Sequence, residues 1–143
     1  MGTADELMGL VLGVRRVVRR RLRPPVSGPV LRGAQIELLQ LVEAEPGVGV
    51  AAAARSLHLA GNTVSTLVNQ LVEAGMLHRG VDPTDRRAAH LTLSEAAQAR
   101  LSRWRAARSE LVGDAVARLS PQDVAALEAA LPAFKNLVRE LEM

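Results

Sequence analysis

The chain has 143 residues, 48% of them apolar, with no cysteine and a formal charge of +3. The missing cysteines exclude disulfides, thiolate metal sites and thiol redox chemistry together. The apolar residues are mostly Ala, Val and Leu, with Trp104 and Phe134 as the whole aromatic complement, so helices are favoured over strands.

The length suits one domain able to bury about two-thirds of its unfolded surface. Lys135 is the only lysine, and the isoelectric point near 10.8 therefore rests on arginine. Arginine keeps its charge and forks onto phosphate, which favours an anionic partner.

Residues 7–22 carry Leu7, Leu10, Val11, Val14, Val17, Val18 and Leu22, the three-and-four spacing of an amphipathic helix. Its apolar run LMGLVLGV (7–14) is too short to span a bilayer. It follows Asp5 and Glu6 rather than a basic stretch, which argues against a signal peptide. The chain is read as soluble and cytoplasmic, without a membrane partner. Arg15, Arg16, Arg19, Arg20, Arg21 and Arg23 crowd the end of this helix. They are read first as its solvated face, with phosphate or an anionic membrane surface as alternatives.

PPVSGP (24–29) breaks the helix and forms a linker. Ile36 to Val42 predicts a largely buried helix stopped by EPG at 45–47. A compact, alanine-rich helix VAAAARSL (50–57) follows, then a turn HLAGN (58–62). The clearest periodicity in the chain is TVSTLVNQLVEAG (63–75), with Val64, Leu67, Val68, Leu71 and Val72 on one face and polar residues around the other. Gly75 stands where a left-handed cap belongs.

Ala89, Leu91 and Leu93 alternate with His90 and Thr92, predicting a strand that pairs back on Leu77–Val81. Ser94 can cap a long helix reaching about Leu119. SPQD (120–123) then starts the last helix, with serine as cap and proline at the first position. That helix spaces Val124, Leu127, Leu131, Phe134, Val138 and Leu141 as a packing seam, and Pro132 inside it removes one backbone donor and predicts a kink.

A helix, a short turn, a polar-faced helix and a hairpin with arginines at its tip form the layout of a winged helix-turn-helix. A face of short donors and acceptors can lie in a DNA major groove, where base edges are distinguishable. An arginine on the hairpin tip can enter the neighbouring minor groove, where the potential is most negative.

LHLAGNTVSTLVNQLVEAGML (57–77) and the wing VDPTDRRAAHLTLSEAA (81–97) resemble the multiple-antibiotic-resistance regulator (MarR) family of bacterial transcription factors. The resemblance centres on residues ~32–93 and extends over nearly the full chain. It implies a mainly α fold with a small two- or three-stranded β-wing. It divides the chain into an N-terminal dimerisation helix and linker (1–31), a DNA-binding region (32–93) and C-terminal dimerisation helices (94–143). It implies a homodimer on double-stranded DNA, acting as a repressor and released by a small-molecule effector whose binding residues it does not name. On the residues, it implies that Asn62, Thr63, Ser65, Thr66, Asn69 and Gln70 face the major groove. Arg87 would enter the minor groove, Arg86 would lie near phosphate and Asp85 would brace the wing.

No lysine or arginine stands between Gly61 and Gly75. That motivates an alternative reading, a helical interaction protein of the same fold without sequence-specific DNA binding. An enzyme is not expected, because no Ser/His/Asp grouping, glycine-rich phosphate loop or catalytic carboxylate pair stands out. His58, His78 and His90 lack helical pairing and thiolate neighbours, so neither a metal site nor a cofactor is predicted. Asp82 and Asp85 read as turn formers and arginine partners. Trp104 is read as a dimer-core residue in preference to a ligand platform.

Overall fold

The computed structural model describes residues 2–22, 31–81 and 89–143. In chain order the elements are α1 (Thr3–Arg21), α2 (Gly33–Ala44), α3 (Val50–Leu57), α4 (Gly61–Glu73), β1 (Leu77–Val81), β2 (Ala89–Leu93), α5 (Glu95–Ala117) and α6 (Pro121–Glu142). They divide into a winged-helix unit, Leu22–Arg105, and a helical unit made of Met1–Arg21 with Ala106–Met143. The mainly α architecture with a β-wing agrees with the expected fold class.

In the winged-helix unit, α2 contributes Leu38, Leu39 and Val42 to the core, and α4 contributes Val64, Val68 and Leu71. Between them α3 brings only Ala53 and Ala54 inside, and such small side chains let helices approach closely. Leu77, Leu91 and Leu93 of the sheet and Ala97 and Leu101 of α5 complete the core. The stripe on α4 is narrower than expected: Leu67 is half-buried and Val72 is exposed. At about 100° per residue, Val72 falls on the flank of the arc that holds residues 64, 68 and 71.

Both helices of the helix-turn-helix end in the same way. At the end of α3, His58 adopts a left-handed conformation (φ 55°, ψ 41°). Its N–H donates to Arg55 O and that of Leu59 to Ala54 O at 3.0 Å. At the end of α4, Gly75 (φ 75°) takes the equivalent place, with Met76 N–H donating to Leu71 O at 2.8 Å. These paired bonds satisfy the last carbonyls of each helix and turn the chain sharply. Glycine enters this conformation without cost, whereas histidine is strained by its Cβ.

The strands pair antiparallel as expected, with Leu77 opposite Leu93, Arg79 opposite Leu91 and Val81 opposite Ala89. Val48 adds an isolated bridge to Leu91, held by Gly47 N–H to Leu91 O at 2.8 Å and Leu91 N–H to Val48 O at 3.0 Å. Ser94 then joins three elements. Its Oγ accepts from Ala97 N–H at 3.1 Å, capping α5, and donates to Gly75 O at 2.7 Å. Its own N–H donates to Met76 O at 3.0 Å. The end of α4, the base of the wing and the start of α5 thus share one buried serine.

In the helical unit, α6 begins as its sequence suggests: Ser120 Oγ accepts from Asp123 N–H at 3.1 Å, with proline in the first turn. The helix continues past Pro132 to Glu142. Neither α1 nor α6 buries a residue. Leu127, Leu131 and Val138, members of the expected seam, are 48%, 55% and 52% exposed. No described helix is long and apolar enough to cross a membrane.

Candidate nucleic-acid interface

The outer face of α4 is set by its inner one. With Val64, Val68 and Leu71 fully buried, the helical period turns Asn62, Thr63, Thr66, Asn69 and Gln70 outward, and all five are exposed. Ser65 is half-buried, at the edge of the face. The helix starts at Gly61, two residues before the expected start, so Asn62 and Thr63 belong to its first turn and not to the preceding one. Ala60 occupies the cap position without a side-chain hydrogen bond. Asn62 Oδ1 instead accepts the Thr63 N–H at 3.0 Å, meeting one of the donors left unpaired in a first turn. Thr66 Oγ1 donates to Asn62 O at 3.0 Å, which leaves its lone pairs directed away from the backbone.

Two residues outside α4 join this face. Arg79 lies opposite Leu91 in the register, so it shares the inward side of the wing with Leu77 and Leu93. Where the apolar layer ends, its stem carries the guanidinium out to α4, and its Nη2 donates to Asn69 Oδ1. From α2, Gln35 Nε2 donates to Gln70 Oε1 at 3.1 Å, while Gln35 Oε1 accepts from Arg32 N–H at 2.9 Å. The face lacks a cation of its own along 61–75, and Arg79 supplies one from the neighbouring strand.

Neither residue was foreseen from the sequence. The pairing of Arg79 with an inward position was a usable signal, because a charge opposite a buried leucine must leave the core at an edge. Gln35 lies 35 residues from its partner, and nothing local marks it. Asp85, Arg86 and Arg87 of the wing tip lie outside the described residues, as does Asp82.

Elsewhere in the winged-helix unit, Arg105 forms an ion pair with Glu43 at 2.6 Å, a surface contact worth about 0–1 kcal/mol. Burial and then the nearby Arg103 lower the pKa of Arg100, whose Nη1 is buried without a hydrogen-bond partner among the described residues. Also among the described residues, no group of three or more His, Cys, Asp and Glu side chains is placed to hold a metal ion.

A family model described as MarR family matches residues 31–88, from the start of α2 into the wing. Over these residues the chain is similar to the MarR family. The MarR resemblance read from residues 57–77 and 81–97 is thereby supported by a match spanning the same helices and wing. Solved structures repeat the fold over almost the whole chain. Streptococcus pneumoniae FabT in complex with DNA is 18% identical with a TM-score of 0.78, covering 96% of each chain. MepR, a transcription regulator of the Staphylococcus aureus multidrug efflux pump MepA, is 17% identical with a TM-score of 0.77, covering 96% of this chain and 99% of its own. CouR, a transcriptional repressor bound to a 23-mer DNA duplex, is 23% identical with a TM-score of 0.70, covering 94% and 92%. No curated protein matches the sequence.

Proposed function

We propose that this chain is a DNA-binding transcription regulator that works as a homodimer. The observation that carries the reading is the two-sided character of α4: a fully buried apolar stripe fixes the helix, and five exposed hydrogen-bonding side chains cover its outside. A helix so presented beside a wing fits a major groove, and two of them related by a two-fold axis would read half-sites about one helical turn apart. FabT and CouR, which share the fold, are solved with DNA, and the MarR-family match covers these same elements.

Arg87 is assigned to the minor groove, Arg86 to phosphate and Asp85 to support of the wing, with Asn62, Thr63, Ser65, Thr66, Asn69 and Gln70 toward the bases. Dimerisation is assigned to the terminal helices, whose apolar side chains Leu10, Val14, Leu131 and Leu141 are more than half exposed in the single chain. The protein would act in the cytoplasm as a repressor by occluding a promoter. A small effector would release it, provided the effector prefers one spacing of the two recognition helices over the other.

A salt titration of binding to genomic fragments tests the reading. Displaced counterions make the logarithm of affinity fall linearly with the logarithm of salt concentration, and a subset of fragments should survive competition. Arg87→Ala should weaken that binding by at least about 1 kcal/mol. Equal, feeble binding to every fragment would favour an interaction protein of the same fold.

A further inference from the structure

The three side-chain amides on the outer face of α4 are all engaged through their oxygens. Asn62 Oδ1 accepts from the Thr63 backbone, Asn69 Oδ1 from Arg79 and Gln70 Oε1 from Gln35. Chemistry fixes each orientation. A backbone N–H and a guanidinium can only donate, so the amide atom facing them must be oxygen. Gln35 could in principle face Gln70 either way, but its own oxygen is taken by the Arg32 N–H, which leaves its nitrogen to donate. The Arg32–Gln35–Gln70 chain is therefore polarised in one direction, and it ends on the Gln70 NH2 group. The Asn69 amide is likewise turned NH2-outward, beside a cation.

Building on the DNA-binding reading above, we infer that the side-chain amides of this recognition face are locked with their NH2 groups outward, as an array of donors, and read guanine. Guanine is the one base whose major-groove edge offers two acceptors, O6 and N7, and no donor. Adenine, the usual partner of an asparagine or glutamine side chain, needs the amide oxygen as well as the nitrogen. At Asn69 one lone pair of that oxygen already serves Arg79, and to use the other the adenine amino group, itself a donor, would have to sit beside a guanidinium. Cytosine presents an amino donor and meets the same obstacle. Arg79 is thus a specificity-determining residue acting partly through Asn69, although it lies on a strand outside the recognition helix.

Selection of bound sequences from a randomised duplex pool, using the full-length protein and its variants, tests this. The wild type should enrich guanine at the positions under the C-terminal half of α4. Arg79→Met, which keeps the stem but releases the Asn69 oxygen, should admit adenine there and cut the guanine preference roughly tenfold. Asn69→Asp should exchange guanine for a base with an amino group, cytosine above all. Both positions are exposed, and unchanged circular dichroism would show that each variant is folded. Enrichment of adenine by the wild type, or a base preference untouched in both variants, would overturn the donor-array assignment while leaving DNA binding intact. Failure of the wild type to enrich any sequence would overturn the DNA-binding reading itself.

Discussion

Leu38, Leu39, Val64, Val68 and Leu71 of the winged-helix unit are at most 1% exposed, while Leu10, Val14, Leu131 and Leu141 of the helical unit are 55% to 75% exposed. The two units draw on the same small set of apolar residues, so composition does not separate them. What separates them is whether an amphipathic face meets a second one within the chain. In the winged-helix unit, α2, α3, α4 and the sheet turn their apolar sides to a shared interior, and each large side chain buried there gains about 1.5–3 kcal/mol. Along α1 and α6 a comparable periodicity buries nothing. One unit is finished by its own fold, and the other presents a surface that a second copy would finish.

The two units should differ most in their response to truncation at the centre of the winged-helix core. Leu71→Ala should cost about 2–5 kcal/mol, read as a lower urea midpoint, because its cavity would open where α4 meets the other core elements. The same truncation on the exposed stripe should leave the winged-helix unit intact. A sharper contrast comes from Leu131→Arg, which places a charge on the proposed dimer surface. It should raise the dimer dissociation constant at least about tenfold, or about 1.4 kcal/mol, in sedimentation measurements. An unchanged association state would remove α6 from the interface.

Local devices offer smaller effects. Ser94→Ala removes both the cap of α5 and the bond to Gly75 O, and should cost about 1–2 kcal/mol. Since Ser94 also sits between α4 and the wing, its loss should disturb DNA binding more than stability alone would suggest. His58→Gly acts in the opposite direction. The left-handed backbone at His58 is suited to glycine, so the variant should gain about 0.5 kcal/mol in urea unfolding at fixed protein concentration. A loss would show that the imidazole makes contacts worth more than the backbone strain.

Much of this architecture is legible in the residues, and where legibility ends has physical causes. The helix at 50–57, the strand pairing of 77–81 with 89–93, the left-handed Gly75 and the Ser120 cap all follow from local signals: periodicity, turn chemistry and a hydroxyl before a proline. The start of α4 does not, because Gly61 and Asn62 read locally as turn residues. Asn62 nevertheless works inside the helix by accepting the next backbone N–H. The polar residues of α4 were readable as a surface, but their hydrogen-bonding polarity was not. That polarity depends on Arg79, visible only once the strand register is known, and on Gln35, which reaches α4 through the tertiary packing of α2. Val72 shows the same limit in apolar form, since the width of a buried arc depends on what packs against it.

Sequence reading as proposed requires α4 to enter the major groove at two places on one duplex. Dimethyl sulfate methylates guanine N7 on the floor of that groove, so footprinting on the tightest-bound genomic fragment reads the contact directly. Two clusters of protected guanines, separated by about one helical turn, are the predicted result. Undiminished methylation at every guanine within the bound fragment would contradict it.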